Sequence, residues 1–163
     1  MHSTLDKHAL VQALVASLED EILRATQAAN RTREGAIHEE ARPENDKDTR
    51  ALEASYLARG QAQRVVDLQG ASKRVAFMGT RDFGPDDPID LSALILLEGD
   101  DAERWYLLAP AGGGRRLEQS GTSVDVITPE APLGKALVGR FRGEEVRVQL
   151  GARARELRIV EVR

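Results

Sequence analysis

The chain contains no cysteine, so a disulfide framework, a thiolate metal centre and a cysteine nucleophile are all excluded. Aromatic residues are scarce: one tryptophan, two tyrosines and three phenylalanines in 163 residues. That is too few for the stacking platforms that bind single-stranded nucleic acid. No apolar run approaches the roughly 20 residues needed to cross a bilayer. The opening stretch, Met1 to Glu21, carries acids and lacks the apolar block of a secretory signal. A soluble cytoplasmic protein without a membrane partner is therefore expected. Proline is absent before Pro43, which leaves the first forty residues free of the commonest helix breaker.

What is present is charge and a core-sized apolar fraction. The chain is 41% hydrophobic and 31% charged, with a formal net charge of −4. This composition excludes a collagen-like or wholly disordered chain. The negative balance argues against unaided binding to duplex nucleic acid. The charge is also polarised along the chain. Residues 34–48 hold six acids against two bases, whereas residues 131–163 hold eight bases against four acids. Two such blocks are solvated faces, or they meet different surfaces of one large partner.

Periodicity divides the chain in two. From residue 4 to 40, Leu10, Leu14, Leu18 and Ile22 recur every four residues, with Val11 and Val15 beside them and Ala25 and Ala29 continuing the stripe. Thr4 is read as the N-cap. Pro43 breaks this helix, because it disfavours helix at Arg42 and has no N–H to donate. A second helical run starts near Asp46 or Asp48, carries Leu52, Tyr56, Ala62 and Val66, and is expected to stop near Gly70. Two helices around a short break predict an antiparallel coiled-coil hairpin over residues 1–70. Tyr56 is expected to pack between the arms, and Ala25, Ala28, Ala29, Ala54, Ala58 and Ala62 permit close approach.

From Ser72 onward the period shortens to two. Strands are predicted at Val75–Met78, Leu91–Glu98, Trp105–Leu108, Gly121–Ile127, Val146–Leu150 and Leu157–Val162. A loop is predicted from Gly79 to Pro88, a flexible one at Pro110–Gly114, and one short helix over Pro132–Gly139. The expected class is α+β: a helical hairpin, then residues 71–163 as an antiparallel sheet domain with one helix packed on it.

The stretch from Thr128 to Val148 is the most specific in the chain. Pro132, Leu133, Gly134, Lys135, Ala136, Leu137, Val138 and Gly139 are followed by Gly143, Glu144, Val146 and Val148. Taken together at these offsets, they resemble the C-terminal domain of the GreA/GreB bacterial transcription elongation factors. The closing run Arg155 to Val162 is similar to that family's last strand, and the predicted hairpin matches its first half. The resemblance implies an FKBP-like sheet domain that docks at the rim of the RNA polymerase secondary channel, without prolyl isomerase activity. It implies a coiled coil whose acidic tip enters the channel near the active-centre magnesium and the backtracked RNA 3′ end. The protein is then not an enzyme; it stimulates hydrolysis by the polymerase. Pro132, Gly134, Lys135, Arg140 and Arg142 are the positions this resemblance assigns to the partner.

A carboxylate is the right tool at such a tip. Magnesium takes hard oxygen ligands, and one or two carboxylates suffice when a partner supplies the rest. The candidates are Asp46 and Asp48, as ligands to a magnesium ion shared with the polymerase, and then Glu44. The same acids also suit a helix N-terminus, where they gain about 0.3–1 kcal/mol from the dipole. The tip departs from the family pattern. In the register anchored on Tyr56, Thr49 and Leu52 stand where the family has acids, and Asp48 is shifted by one. A second register places Glu44 and Asn45 at the turn. Two roles follow: stimulation of transcript cleavage, or a non-cleaving regulator that occupies the same channel and inhibits polymerase or competes with cleavage factors.

Overall fold

The structure, a computed structural model, describes residues 4–40 and 47–163, with the backbone alone at residues 36, 39, 40, 47 and 48. Two long helices come first, α1 (Lys7–Glu40) and α2 (Lys47–Met78). Then follow β1 (Leu94–Glu98), β2 (Glu103–Leu108), β3 (Arg116–Gln119), β4 (Thr122–Ile127), α3 (Pro132–Leu137), β5 (Glu145–Leu150) and β6 (Arg153–Val162). The chain forms two compact units. One is Ala16–Gly70; the other is Met1–Val15 together with Ala71–Arg163.

In the sheet unit the six strands run in the order β3-β4-β2-β1-β6-β5. The sheet is antiparallel except for one parallel pair, β2 with β4. That pair follows from β3, a short strand not anticipated from sequence, which turns the chain back through Ser120 and Gly121 before β4 begins. Four consecutive residues of β1, Leu94 to Leu97, are buried, so both faces of the central strand are covered. On one face, Ile95, Leu97, Leu108, Val146, Val148 and Ile159 join Leu133 and Leu137 of α3 in a single core. On the other face, Leu94, Leu96, Leu107, Val124 and Val126 are buried, and in the same unit so are Leu10, Val11 and Leu14 of α1.

Residues 4–15 group with the sheet unit for identifiable reasons, whereas the sequence reading expects a boundary at residue 70. Leu14 packs against Gly112, where a Cβ would lie 2.8 Å from the leucine Cδ1. The Asp6 backbone N–H donates to Gln119 Oε1 at 2.6 Å, and Gln119 Nε2 donates back to the Asp6 carbonyl at 3.2 Å. Asp6 is also the helix cap, in place of Thr4: its carboxylate accepts from the Ala9 N–H at 3.1 Å.

The second helix overruns the stop expected at Gly70, and the strand expected at Val75–Met78 is its last turn. A mid-helix glycine costs only about 1 kcal/mol. Burial of Ser72 and Val75 on the helix face offsets it. The chain leaves the helix at Gly79, whose φ of +69° is the left-handed conformation of a C-terminal cap.

Within the helical unit, α2 does not face inward on the row through Leu52, Tyr56, Ala62 and Val66; of its alanines expected to permit close approach, Ala54 and Ala58 are half-buried and Ala62 is exposed. Ala51, Ala54, Ala58, Gln61, Val65 and Leu68 are half-buried, spaced alternately three and four residues. This is a heptad seam. Leu52, Leu57 and Val66 are exposed, and Tyr56 is 61% exposed rather than packed between the arms. The four-residue row drifts around a helix of 3.6 residues per turn, so a stripe of large side chains gave way to a 3-4 seam of small ones. The two helices meet at Arg64, whose guanidinium donates to Glu21 at 2.7 Å.

Candidate docking surface on the sheet unit

The segment from α3 to the start of β5 is built by glycines and a short turn. Pro132 opens α3 at its first turn, preceded by Ala131 in an extended conformation. Leu133 and Leu137 point into the core, which leaves Lys135 on the outside. Gly134 lies on the buried side. A Cβ there would sit 1.9 Å from the Thr128 carbonyl oxygen, so no other residue fits without moving backbone. Gly134 therefore shapes this surface from beneath.

After α3 the chain reverses at Gly139, which has φ +80°. The Gly139 N–H donates to the Ile89 carbonyl and the Ile89 N–H to the Arg140 carbonyl, both at 2.8 Å. These bonds tie the 79–92 loop to the surface. The next turn is held at both ends: Phe141 N–H donates to the Glu144 carboxylate at 2.6 Å, and Glu144 N–H to the Phe141 carbonyl at 3.2 Å. Gly143, at φ +90°, donates to the Ile159 carbonyl at 2.8 Å and so anchors the turn to β6.

This scaffold presents apolar and cationic groups side by side. Val138 is 43% exposed and Phe141 41%, although both are large apolar residues. Exposed Lys135, Arg140 and Arg142 lie in the same segment. Arg142 Nε donates to the Val160 carbonyl at 3.1 Å, which fixes its stem against β6. Arg140 reaches Glu144 at 3.7 Å, a loose and exposed pair. Exposed apolar residues interleaved with cations in one segment suit a protein surface that is both apolar and acidic. Sequence reasoning named the cations and Pro132 but missed Val138 and Phe141. The available signal was two apolar residues interleaved with Arg140 and Arg142 immediately after a helix stop.

The acids assigned to the tip fall differently. Glu44 and Asp46 lie outside the described residues. Asp48 is in the first turn of α2, with its side chain outside them. Among the described residues, no group of three or more histidine, aspartate or glutamate side chains could hold a metal ion. No described helix is long and apolar enough to cross a membrane.

No known protein-family model matches the chain, and no curated protein matches it significantly. Solved structures do. GreA factor homolog 1 (Gfh1) of Thermus thermophilus is 16% identical, with 91% of this chain and 94% of that one covered and a TM-score of 0.38. Thermus aquaticus Gfh1 is 16% identical over 95% and 92% of the two chains, at a TM-score of 0.39. The chain's likeness is to Gre-type factors. A prokaryotic transcription elongation factor GreA/GreB from Nitrosomonas europaea is 22% identical over 58% and 78%, at a TM-score of 0.35.

Proposed function

We propose that this protein is an RNA polymerase-binding transcription elongation factor of the Gre type. The sheet unit docks at the rim of the secondary channel through Lys135, Val138, Arg140, Phe141 and Arg142. The helical unit carries the acids around residues 44–48 into the channel. The observation that carries this reading is the run from Pro132 to Val148, in which residues at a dozen offsets match the Gre pattern together. The chemistry of the segment supports it, since two exposed apolar residues interleaved with three cations are the kind of groups a protein partner buries. The tip then supplies Asp46 and Asp48, with Glu44 behind them, as carboxylates that share a magnesium ion with the polymerase. Hydrolysis of backtracked RNA remains the polymerase's own reaction, and this chain is not an enzyme by itself.

The test is a transcription complex stalled in a backtracked state. Added protein releases 3′-terminal RNA fragments, and Asp46→Asn with Asp48→Asn abolishes the release. Fragments that persist with that variant remove the residue assignment.

A second reading is favoured by Thr49 and Leu52, which stand where the Gre tip has acids. On that reading the protein occupies the channel without promoting cleavage. It then binds polymerase, releases no fragments of its own, and slows cleavage by a standard Gre factor in the same assay.

A further inference from the structure

A second feature of the sheet unit lies away from the docking segment. Between the β1–β2 turn and the β5–β6 turn the α3-side face of the sheet is left open, forming a cavity of about 260 Å³. Strand alternation decides which side chains face it. On β2, Arg104 and Tyr106 share a side with core residue Leu108; on β6, Arg153, Arg155 and Leu157 share a side with core residue Ile159. Leu97 and Leu157 line the floor, and Tyr106 is half-buried beside them. Arg104, Arg153 and Arg155 therefore line this cavity over a partly apolar floor, and the charges of Arg104 and Arg155 act on the Tyr106 phenol.

The charges around this phenol are unevenly satisfied. The carboxylate opposite Tyr106 in the β2–β4 register is Asp125. It is already held by Arg116 in a two-pronged contact at 2.7 and 3.2 Å. Glu156 also borders the cavity and stands opposite Arg147 in the β5–β6 register. Arg104, Arg153 and Arg155 make no ion pair or side-chain hydrogen bond among the described residues. Three arginines without an ion pair line one cavity, an arrangement that suits a bound anion. Guanidinium donors match phosphate oxygens in pairs, and a phenol adds one more donor. The exposed acids Asp100 and Asp101 stand in the β1–β2 turn at the cavity rim. They oppose an extended polyanion such as a nucleic-acid backbone and leave room for a compact one. Burial raises the Tyr106 pKa above the usual tyrosine value, so the hydroxyl keeps its proton and can donate.

We propose that this cavity binds a small phosphate monoester: Arg104, Arg153 and Arg155 hold the phosphate, the Tyr106 hydroxyl donates to it, and Leu97 and Leu157 carry the organic group.

The test uses the full chain alone, so its outcome is independent of polymerase binding. Calorimetric titration at physiological salt is run with phenyl phosphate, inorganic phosphate and acetate. Phenyl phosphate is expected to bind saturably and more tightly than inorganic phosphate, with acetate weakest. Arg104→Gln with Arg155→Gln is expected to weaken phenyl phosphate at least about tenfold, since charge-assisted hydrogen bonds are lost. Tyr106→Phe is expected to weaken it about threefold, the scale of one neutral hydrogen bond. Arg33→Gln, on an exposed position of α1, leaves it unchanged. No saturable binding of phenyl phosphate overturns the proposal, as does unaltered affinity in the double arginine variant or acetate binding as tight as phosphate.

Discussion

The two units of the chain keep their order by different means. In the sheet unit large side chains are fully buried: Leu94, Ile95, Leu97, Leu107, Leu108, Leu137 and Ile159. In the helical unit the buried apolar set contains only Leu18 among the described residues, and the seam is otherwise alanine, glutamine and half-buried valine and leucine. Burial of a leucine is worth about 1.5–3 kcal/mol, and a buried alanine contributes far less. Stability is thus concentrated in the sheet unit. The helical unit relies on propensity and backbone hydrogen bonds, helped by exposed pairs such as Asp20–Arg24 at 2.9 Å.

Substitutions can break that comparison, and the largest effect belongs to the sheet unit. Gly134→Val forces a side chain into the Thr128 carbonyl and is expected to cost more than about 3 kcal/mol in urea unfolding. Leu107→Ala, on a fully buried strand position, is expected to cost about 2–5 kcal/mol. By contrast Leu57→Ala, on an exposed position of α2, should stay within about 0.5 kcal/mol. A loss comparable to that of Leu107→Ala would contradict the difference between the units. Gln61→Leu sharpens it from the other side. Gln61 Oε1 is buried in the helical seam without a hydrogen-bond partner. Its removal should raise stability by about 1 kcal/mol, seen as slower amide exchange in α2.

The smallest predicted effect is in pH dependence. Burial pushes Lys7 below its ordinary value of 10.5, with Asp82 opposing and Arg81 adding to the shift. Its ammonium also donates to the Arg81 carbonyl and lies 4.9 Å from the Phe83 ring centre. Because the folded chain holds this proton less tightly, the unfolded chain binds more protons between the folded and unfolded pKa values. The contribution of Lys7 to stability therefore grows as pH rises through the lowered pKa toward 10.5, and declines as pH falls back through it. The difference in denaturation midpoint between wild type and Lys7→Met should change across that alkaline range and be flat below it.

The sequence was legible where local chemistry and packing agreed. The alternation of Val146 and Val148 and the glycines around α3 marked β5 and its turn directly, because a left-handed φ at Gly139 and Gly143 is a local demand. It was less legible where packing overrode a local signal. Gly70 looked like a stop, yet the helix runs on to bury Val75. The row through Leu52 and Tyr56 looked like a core stripe, because size was weighed above the 3-4 spacing of the alanines beside it. Strand β3, only four residues long and carrying Arg116 and Glu118, has almost no apolar pattern to read. In the segment after α3 the cations were visible in the sequence. The exposure of Val138 and Phe141 depends on where α3 ends, and that is set by tertiary hydrogen bonds from Gly139 and Ile89.

The most direct measurement is the affinity of the full chain for core RNA polymerase, compared with a variant carrying Lys135→Glu, Arg140→Glu and Phe141→Ser. Tight binding by wild type, weakened at least about a hundredfold in a variant whose unfolding is unchanged, is the predicted result, since it removes one apolar anchor and reverses two charges. Wild-type protein that does not bind the polymerase, or a variant that binds it equally well, contradicts the account.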